Sequence, residues 1–287
     1  MRELFFMKQI NRSIRSFVRR QGRMTPGQKM AVAQRWQQYG LSLKNGPINS
    51  LLPRGLPQEP TGDGDSQGEP RAPLESPSRE LASRRRNSNR NKYSAPWGGD
   101  IYLVQIFGRT APCYLEIGFG MGGSLLQLAT HYPQYDFLGV EVYRPGLGAL
   151  LAQLEIEQVA NVRVFQEDAV EVLQQCVTDH SLTGVLLFFP DPWPKKRHHK
   201  RRIIQPEFVQ LVAKKLVAGG YFHMATDWQD YAEHMQEVMA HEANYVLMDS
   251  ATQTEGFLPR PPTKYEARGR RLGHQVWDFV YRLQTTS

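Results

Sequence analysis

From Pro112 onward, short apolar runs alternate with segments in which apolar residues recur at helical spacing. The apolar runs predict buried strands at Tyr114–Ile117, Phe137–Val140, Val162–Phe165, Val185–Phe189 and Tyr221–Met224. The helical spacing predicts helices that begin near Gly122, Pro145, Asp168, Gln205 and Gln229. This alternation is typical of an α/β fold, in which a mostly parallel sheet carries helices on both faces. We expect Tyr245–Met248 and Val276–Leu283 to complete the sheet as an antiparallel pair.

Charge and composition divide the rest of the chain. Residues 1–54 contain eleven Lys or Arg residues against Glu3 alone, a net charge of +10, whereas the whole chain carries +7. Residues 1–52 are therefore predicted to be a basic arm that binds RNA, although a solvated tail or an organelle transit peptide has a similar composition. Residues 53–99 are rich in Pro, Gly and Arg, which predicts a disordered tether to a folded domain at residues 100–287.

Two features limit the class of protein. Cys113 and Cys176 are too few for a disulfide scaffold or a four-thiolate metal site, which favours a reducing compartment. No run approaches the roughly 18 apolar residues that a membrane-spanning helix needs, and charged residues interrupt the apolar start of the chain. We therefore expect a soluble cytoplasmic protein with no membrane partner.

A glycine-rich loop follows the first predicted strand. Gly118, Gly120 and Gly123 fit the dinucleotide-binding fingerprint, whereas Gly118, Gly120 and Gly122 fit the loop of S-adenosylmethionine enzymes. A plain tight turn would also use glycines. Glu116 favours the methyl donor, because a carboxylate before the loop would repel a pyrophosphate but attract the ammonium of a methionine moiety.

Two further acids follow the next two predicted strands. Glu141 can accept hydrogen bonds from both ribose hydroxyls of either cofactor. Asp168 can reach an adenine amino group, but an Asp that opens a helix is equally typical of an N-cap. Together with Glu116, they predict an adenosine-containing cofactor at the carboxyl ends of the strands.

The fourth predicted strand leads into Phe189-Pro190-Asp191-Pro192-Trp193-Pro194. Two prolines fix the backbone around Asp191, and the Trp193 indole offers a stacking surface for a planar base. A rigid surface turn would explain the prolines but not the carboxylate, the indole and the basic residues that follow. We therefore predict that the transferred methyl group meets its acceptor here.

An unbroken basic run follows this turn, from Lys195 to Arg202. Charge runs usually form solvated faces, but a run that leaves the expected site favours phosphate binding. His198 and His199 do not predict a metal site, because no Cys or carboxylate stands at ligand spacing and the neighbouring cations repel a metal ion.

In their order, these residues resemble the bacterial tRNA (guanine-N7)-methyltransferase family. The resemblance runs from about Pro112 to Leu283, and residues 14–23 resemble the basic N-terminal segment of that family. It rests on Leu115–Gly122, Phe137–Glu141, the Pro-Asp-Pro-Trp segment, Ala225–Trp228, Thr263–Glu266, Arg268-Gly269 and Gly273-His274. Residues 41–100 depart from the family, being longer and richer in Pro and Gly. The resemblance implies a Rossmann-like class I methyltransferase fold, S-adenosylmethionine as cofactor and tRNA as partner, with a variable-loop guanine as the target.

The resemblance also implies roles for individual residues. Cofactor contacts fall on Glu116, Gly118, Gly120, Glu141, Asp168 and Asp191, and Asp191 is also the implied catalytic residue. Substrate contacts fall on Lys195, Asp227, Thr263, Lys264, Tyr265 and Glu266. RNA contacts fall on Arg197, His198, His199, Lys200, Arg201 and Arg202.

The implied chemistry requires little acid or base catalysis. Guanine N7 carries a lone pair and no proton, so positioning and electrostatics provide most of the catalysis. Asp191, Asp227 or Glu266 can stabilise the positive charge that develops on the base, and the sequence does not rank them. An N7 inside an A-form helix is out of reach, so we expect an extruded loop guanine.

Three other functions are compatible with parts of the pattern. An amino-group methyltransferase acting on adenine or cytosine also places Asp or Asn before prolines and an aromatic residue. An NAD-dependent oxidoreductase would use the same glycines. A non-enzymatic RNA-binding module would explain the charge alone.

Overall fold

The sheet is built around β2 (Cys113–Ile117), whose five residues are all buried. The computed structural model describes residues 22–43, 103–248, 257–262, 266 and 275–284. Predictions for residues 1–21, for the 53–99 tether and for Thr263, Lys264 and Tyr265 lie outside the described residues. The other strands are β1 (Gly40–Leu41), β3 (Asp136–Val140), β4 (Val162–Phe165), β5 (Leu182–Phe188), β6 (Leu216–Thr226), β7 (Tyr245–Leu247) and β8 (Trp277–Leu283).

These strands form one sheet in the order β1-β4-β3-β2-β5-β6-β8-β7. Neighbours from β1 to β6 pair in parallel, whereas β8 runs antiparallel to both β6 and β7. From β2 the chain adds β3 and β4 on one side of the sheet and then crosses over to add β5 and β6 on the other side. The direction of winding therefore reverses between β2 and β5. In open α/β sheets, such a reversal opens a crevice at the carboxyl ends of the strands, where ligands bind.

Helices cover both faces of the sheet and bury two separate apolar clusters. The helices are α1 (Pro26–Tyr39), α2 (Leu103–Phe107), α3 (Gly123–His131), α4 (Arg144–Ile156), α5 (Ala169–Gln175), α6 (Pro206–Lys215) and α7 (Gln229–Ala240). One cluster contains side chains of α1, α3 and α4, and the other contains side chains of α5, α6 and α7. Successive residues of β2 alternate between them, because neighbouring side chains of a strand point to opposite faces. No helix among the described residues combines the length and the apolar content needed to cross a membrane.

The predicted α/β architecture is confirmed, and most element ends lie within three residues of those expected. The main exception is β6, which begins at Leu216 and not at Tyr221. Its pairing with β5 jumps from Leu216 to Tyr221, an irregularity that includes Gly219 at φ +75°. The sequence pattern shows only the regular part of this strand, because the small residues Ala218, Gly219 and Gly220 interrupt the apolar run.

The first helix and strand were not expected. Residues 1–52 were grouped as one basic arm, but α1 packs on α4 and β1 extends the sheet beside β4. Thr25 begins α1 with a reciprocal capping box to Gln28, and Pro26 occupies the first turn. The helix carries few large apolar residues, which is why its hydrophobic pattern gave no clear signal. It packs closely because Gly148 of α4 has no side chain where Gln28 crosses.

This close crossing gives the first testable prediction. A Cβ at Gly148 would lie 2.8 Å from both Cβ and the carbonyl oxygen of Gln28. Gly148→Ala should therefore lower the free energy of unfolding by about 1–3 kcal/mol in urea denaturation. Gly27→Ala is the matched control, because a Cβ there meets no atom within 4 Å and Ala favours the helix. Equal stability of the two variants would contradict the close packing of α1 on α4.

Candidate active site

Five neighbouring strands each deliver an acidic residue at the same edge of the sheet. These residues are Glu116 near the end of β2, Glu141 after β3, Asp168 after β4, Asp191 after β5 and Asp227 after β6. Because the strands are parallel neighbours, their carboxyl ends share one edge. The structure thus brings together acids that are far apart in the sequence.

The glycine loop lies between β2 and α3 and is open toward this edge. Its first N–H, at Gly118, donates to the Val140 carbonyl at 2.8 Å, which fixes the loop against the end of β3. Gly118 and Gly120 adopt φ values of +75° and +56°, which favour glycine. A Cβ at either position would meet no atom within 4 Å. The loop is therefore shaped by backbone conformation and leaves space in front of it.

Glu116 is buried beside the loop and lacks a full set of partners. Its Oε2 atom and the Ser124 hydroxyl of α3 are buried, and neither forms a hydrogen bond within the described part of the chain. Burial raises the pKa of Glu116 to about 8; proximity to Ser124 opposes this shift, and the Glu141 charge adds to it. A buried acid with an unpaired oxygen is a receptor for a cationic group.

Glu141 connects the glycine loop to the start of α4. Its Oε2 accepts from the Gly120 N–H at 2.7 Å, and its Oε1 accepts from the Tyr143 N–H at 2.9 Å. Burial raises the pKa of Glu141, these backbone N–H groups oppose the shift, and the Asp191 charge adds to it. Each carboxylate oxygen keeps a second lone pair, so both oxygens can still accept a hydroxyl.

Asp168 is the N-cap of α5, as one of its two interpretations predicted. Its Oδ1 accepts from the Val170 N–H at 2.9 Å. A capping role does not exclude a ligand, because a carboxylate has two oxygens. The preceding Glu167 accepts from the Leu43 N–H at 3.1 Å, which holds the end of β1 beside this position.

The turn that carries Asp191 is held in a strained conformation. Phe189 and Trp193, on either side of it, have φ values of +51° and +47°. Such values cost about 1–3 kcal/mol for a non-glycine residue and persist only where the surroundings enforce them. Phe189 N–H donates to the Ala225 carbonyl at 2.8 Å, which fixes the start of the turn on β6.

Trp193 does not offer the stacking surface that was expected of it. It is only 9% exposed, and the Arg201 guanidinium lies over its ring at 4.3 Å from the centroid. The His198 ring meets it edge-on at 5.9 Å. Trp193 therefore holds the basic segment against the turn and leaves the contact with a base to another group.

The basic run forms a 3-10 helix at Lys196–Arg201, next to the Asp191 turn. Lys195, Lys196, Arg197 and Lys200 are exposed, whereas His198, His199 and Arg201 are partly buried. Burial and the surrounding cations lower the pKa of His198, which favours its neutral form. The exposed surface of this helix is therefore cationic because of its Lys and Arg residues.

Arg202 differs from the rest of the run, with which it was grouped as an RNA contact. It is 2% exposed and forms an ion pair with Asp230 of α7. Its Nε donates to the Pro192 carbonyl at 3.0 Å, and its guanidinium lies 4.8 Å from the centroid of the Tyr231 ring. Arg202 therefore fastens the Asp191 turn to α7 and is not available to a phosphate.

Glu266 is buried and belongs to a charged network that the sequence did not indicate. Arg260 donates to Glu266 Oε2 and to Asp278 Oδ2, both at 2.6 Å, and Asp278 also pairs with His223 of β6. The Arg260 guanidinium lies 5.3 Å from the centroid of the Phe189 ring. This network ties the segment that carries Glu266 to the start of the Asp191 turn.

Comparison with known proteins shows the family of this chain. Residues 110–279 match a family model described as "Putative methyltransferase". A tRNA (guanine-N(7)-)-methyltransferase of Pseudoalteromonas atlantica is 43% identical over 274 residues, 94% of this chain and 91% of the relative. Another, of Nitrosococcus oceani, is 44% identical over 276 residues, 96% of this chain and 93% of the relative. The chain belongs to the tRNA (guanine-N7)-methyltransferase family. A solved 16S rRNA methyltransferase, KamB, aligns with 66% of this chain and 96% of its own at 14% identity and a TM-score of 0.45.

Sequence reasoning missed Arg202 and Arg260, which hold the Asp191 turn and Glu266 in position. Arg202 looked like one more cation of a basic run, and Arg260 stood in a Pro-rich stretch without a motif. One signal was present for Arg202, because it is the last residue of the run and precedes the apolar Ile203-Ile204. No comparable signal marks Arg260, because its partners come from β8 and from residue 266.

The raised pKa of Glu116 predicts an unusual dependence of stability on pH. The folded protein holds a proton on Glu116 up to about pH 8, whereas the unfolded chain releases it near the ordinary value. The contribution of Glu116 to stability is therefore greatest at low pH and declines as the pH rises from about 4.5 to 8. Glu116→Gln should remove this decline and raise the stability of the ligand-free protein at pH 7.5 by about 1 kcal/mol or more. Denaturation of both proteins at pH 5 and 7.5 tests this, and parallel pH profiles would contradict it.

Proposed function

We propose that this chain transfers a methyl group from S-adenosylmethionine to N7 of a guanine in tRNA, giving 7-methylguanosine. The observation that carries the proposal is the set of acids around an open glycine loop, in a chain 43–44% identical over most of its length to tRNA (guanine-N7)-methyltransferases. We further propose that the target is a variable-loop guanine and that the enzyme works in the cytoplasm.

The residues around the loop fit S-adenosylmethionine. Glu116, with its buried unpaired oxygen, would hold the methionine ammonium, and the open space at Gly118 and Gly120 would accept the chain that follows it. Glu141 would accept the two ribose hydroxyls, and Asp168 would accept the adenine amino group. The pyrophosphate of a nicotinamide cofactor would face the buried Glu116, which disfavours the oxidoreductase alternative.

S-adenosylmethionine supplies an electrophilic methyl group on a sulfonium. Guanine N7 has a free lone pair, so the chain has to place this atom and stabilise charge, not remove a proton. We propose that Asp191 accepts hydrogen bonds from the guanine N1–H and amino groups, and so opposes the positive charge that develops on the base. Asp227, at the end of the neighbouring strand, and Glu266, held by Arg260, would share this role.

The RNA backbone would cross two basic regions. One is the 3-10 helix, where Arg197 and Lys200 are exposed and His198, His199 and Arg201 are partly buried, together with the exposed Lys195 before it. The other is the basic arm, whose first described residue, Gly22, lies near the site. Gly22 lies against α4, since a Cβ on it would come 3.1 Å from Pro145 Cγ, four residues beyond Glu141. The arm thus joins the body at the carboxyl edge of the sheet, which supports a role in gripping the substrate.

The activity can be tested directly, and Asp191 with it. The protein is incubated with methyl-labelled S-adenosylmethionine and bulk tRNA, and the labelled nucleoside is identified after digestion. We expect 7-methylguanosine; N6-methyladenosine or a methylated cytosine would instead identify an amino-group methyltransferase. Asp191→Asn keeps the size of the side chain but removes its charge, and should lower the single-turnover rate by about a hundredfold or more.

Two controls make the Asp191 result specific. Calorimetry should show S-adenosylmethionine affinity within a few-fold of the parent protein, because Asp191 acts at the methyl-transfer end of the site. Glu237→Gln, an exposed acid on the outer surface of α7, should have the parental rate. A normal rate in Asp191→Asn would transfer the charge-stabilising role to Asp227 or Glu266.

Salt dependence tests the RNA surface. Replacing both Arg197 and Lys200 with Gln should weaken tRNA binding and reduce the slope of log affinity against log salt by roughly 0.7–0.9 for each phosphate that is no longer neutralised. S-adenosylmethionine affinity should not change. Lys214→Gln is the control, since Lys214 is also exposed but lies at the end of α6, at the opposite edge of the sheet. An unchanged slope in the double variant would place the phosphate-binding surface elsewhere.

A further inference from the structure

Trp228 occupies an unusual position for a large aromatic side chain. It follows Asp227 directly at the carboxyl end of β6, on the same edge of the sheet as the candidate site. It is 39% exposed and is the one aromatic residue among the exposed large hydrophobic side chains of the described residues. Exposing an indole at this edge forgoes the hydrophobic gain of burying it, so a ligand that covers the ring would recover that gain.

The backbone of Trp228 is fixed although its ring is exposed. Its N–H donates to the Thr226 hydroxyl at 3.2 Å. Its carbonyl accepts from the N–H groups of Tyr231 and Ala232, at 3.0 and 2.9 Å, as the N-cap of α7. The same end of α7 is tied to the Asp191 turn, because Arg202 bonds both Asp230 and Pro192. The indole is thus presented by a rigid frame that also holds the candidate catalytic residue.

Two other aromatic rings at this edge, those of the Asp191 turn, are already covered. The Arg201 guanidinium lies over Trp193, and the Arg260 guanidinium lies over Phe189. Among the described residues, no ring or guanidinium contact is found on Trp228. An extruded base leaves its stacking neighbours in the RNA and needs a new stacking surface. Among the described residues, Trp228 is the exposed aromatic side chain that can provide one.

The chemistry of N7 methylation specifies where this surface must be. The N7 lone pair lies in the plane of the base, so the methyl donor and Asp191 meet the guanine at its edges and leave its faces open. We propose that the Trp228 indole stacks on one face of the target guanine. This assignment rests on the proposed function. Because the guanine gains positive charge during methyl transfer, its attraction to the indole face strengthens in the transition state.

The test compares Trp228→Phe and Trp228→Leu with the parent protein. The substrate is a tRNA transcript whose methylated guanine has been located by nuclease digestion. Trp228→Leu should raise the dissociation constant of this tRNA about tenfold and lower the single-turnover rate about tenfold, while Trp228→Phe should lie between. S-adenosylmethionine affinity and melting temperature should stay at parental values. Ile156→Ala, which removes an exposed apolar side chain at the far end of α4, is the control.

A second RNA separates stacking on the target from any other contact. In it the located guanine is replaced by an abasic nucleotide, so the parent protein and Trp228→Leu should bind it equally. An equal drop in affinity on both RNAs, or a normal rate and affinity in Trp228→Leu, would overturn the assignment. If Trp228→Leu also has a lower melting temperature, Trp228→Phe decides the case. A parental melting temperature with a reduced single-turnover rate in Trp228→Phe would support the assignment. Failure of the parent protein to methylate tRNA would instead refute the proposed function.

Discussion

Parallel pairing of five neighbouring strands is the constraint on which the site depends. In a parallel sheet every carboxyl end faces the same edge, so the residue that ends one strand lies beside the residue that ends the next. The pairing of Ile117 with Val140 illustrates the effect, because it brings the glycine loop to Glu141, more than 20 residues later. Without this register, the acids would be isolated surface charges.

Convergence of these acids has an energetic cost. Burial raises the pKa of Glu116 and of Glu141. The Glu141 charge adds to the rise at Glu116, and the Asp191 charge adds to the rise at Glu141. A protein that contains such a cluster is less stable without a cationic ligand than with one. The same repulsion therefore favours a ligand that carries a sulfonium and an ammonium group. Binding of such a ligand relieves the repulsion, and the free energy released contributes to its affinity.

Two arginines, the buried Arg202 and the partly buried Arg260, hold the candidate site in shape without belonging to it. Arg202 links the Asp191 turn to α7, and Arg260 links Glu266 to β8 and to the Phe189 ring. A buried guanidinium is tolerated only when its N–H groups are paired, and each of these meets carboxylate or carbonyl oxygens. Their planar, multidentate geometry lets one side chain fix several segments at once. The strained φ angles of Phe189 and Trp193 persist within this frame.

The sequence by itself determined the α/β class, the order of the strands and helices from Pro112 onward, and the acids at the strand ends. Those features depend on local periodicity and on residue type, both of which can be read without knowledge of the packing. Only the tertiary structure decided that α1 and β1 join the domain, that Arg202 is buried, and that Trp193 is covered while Trp228 is exposed. Burial of a cation or an indole depends on partners distant in the chain, such as Asp230 for Arg202, and local periodicity carries no information about them.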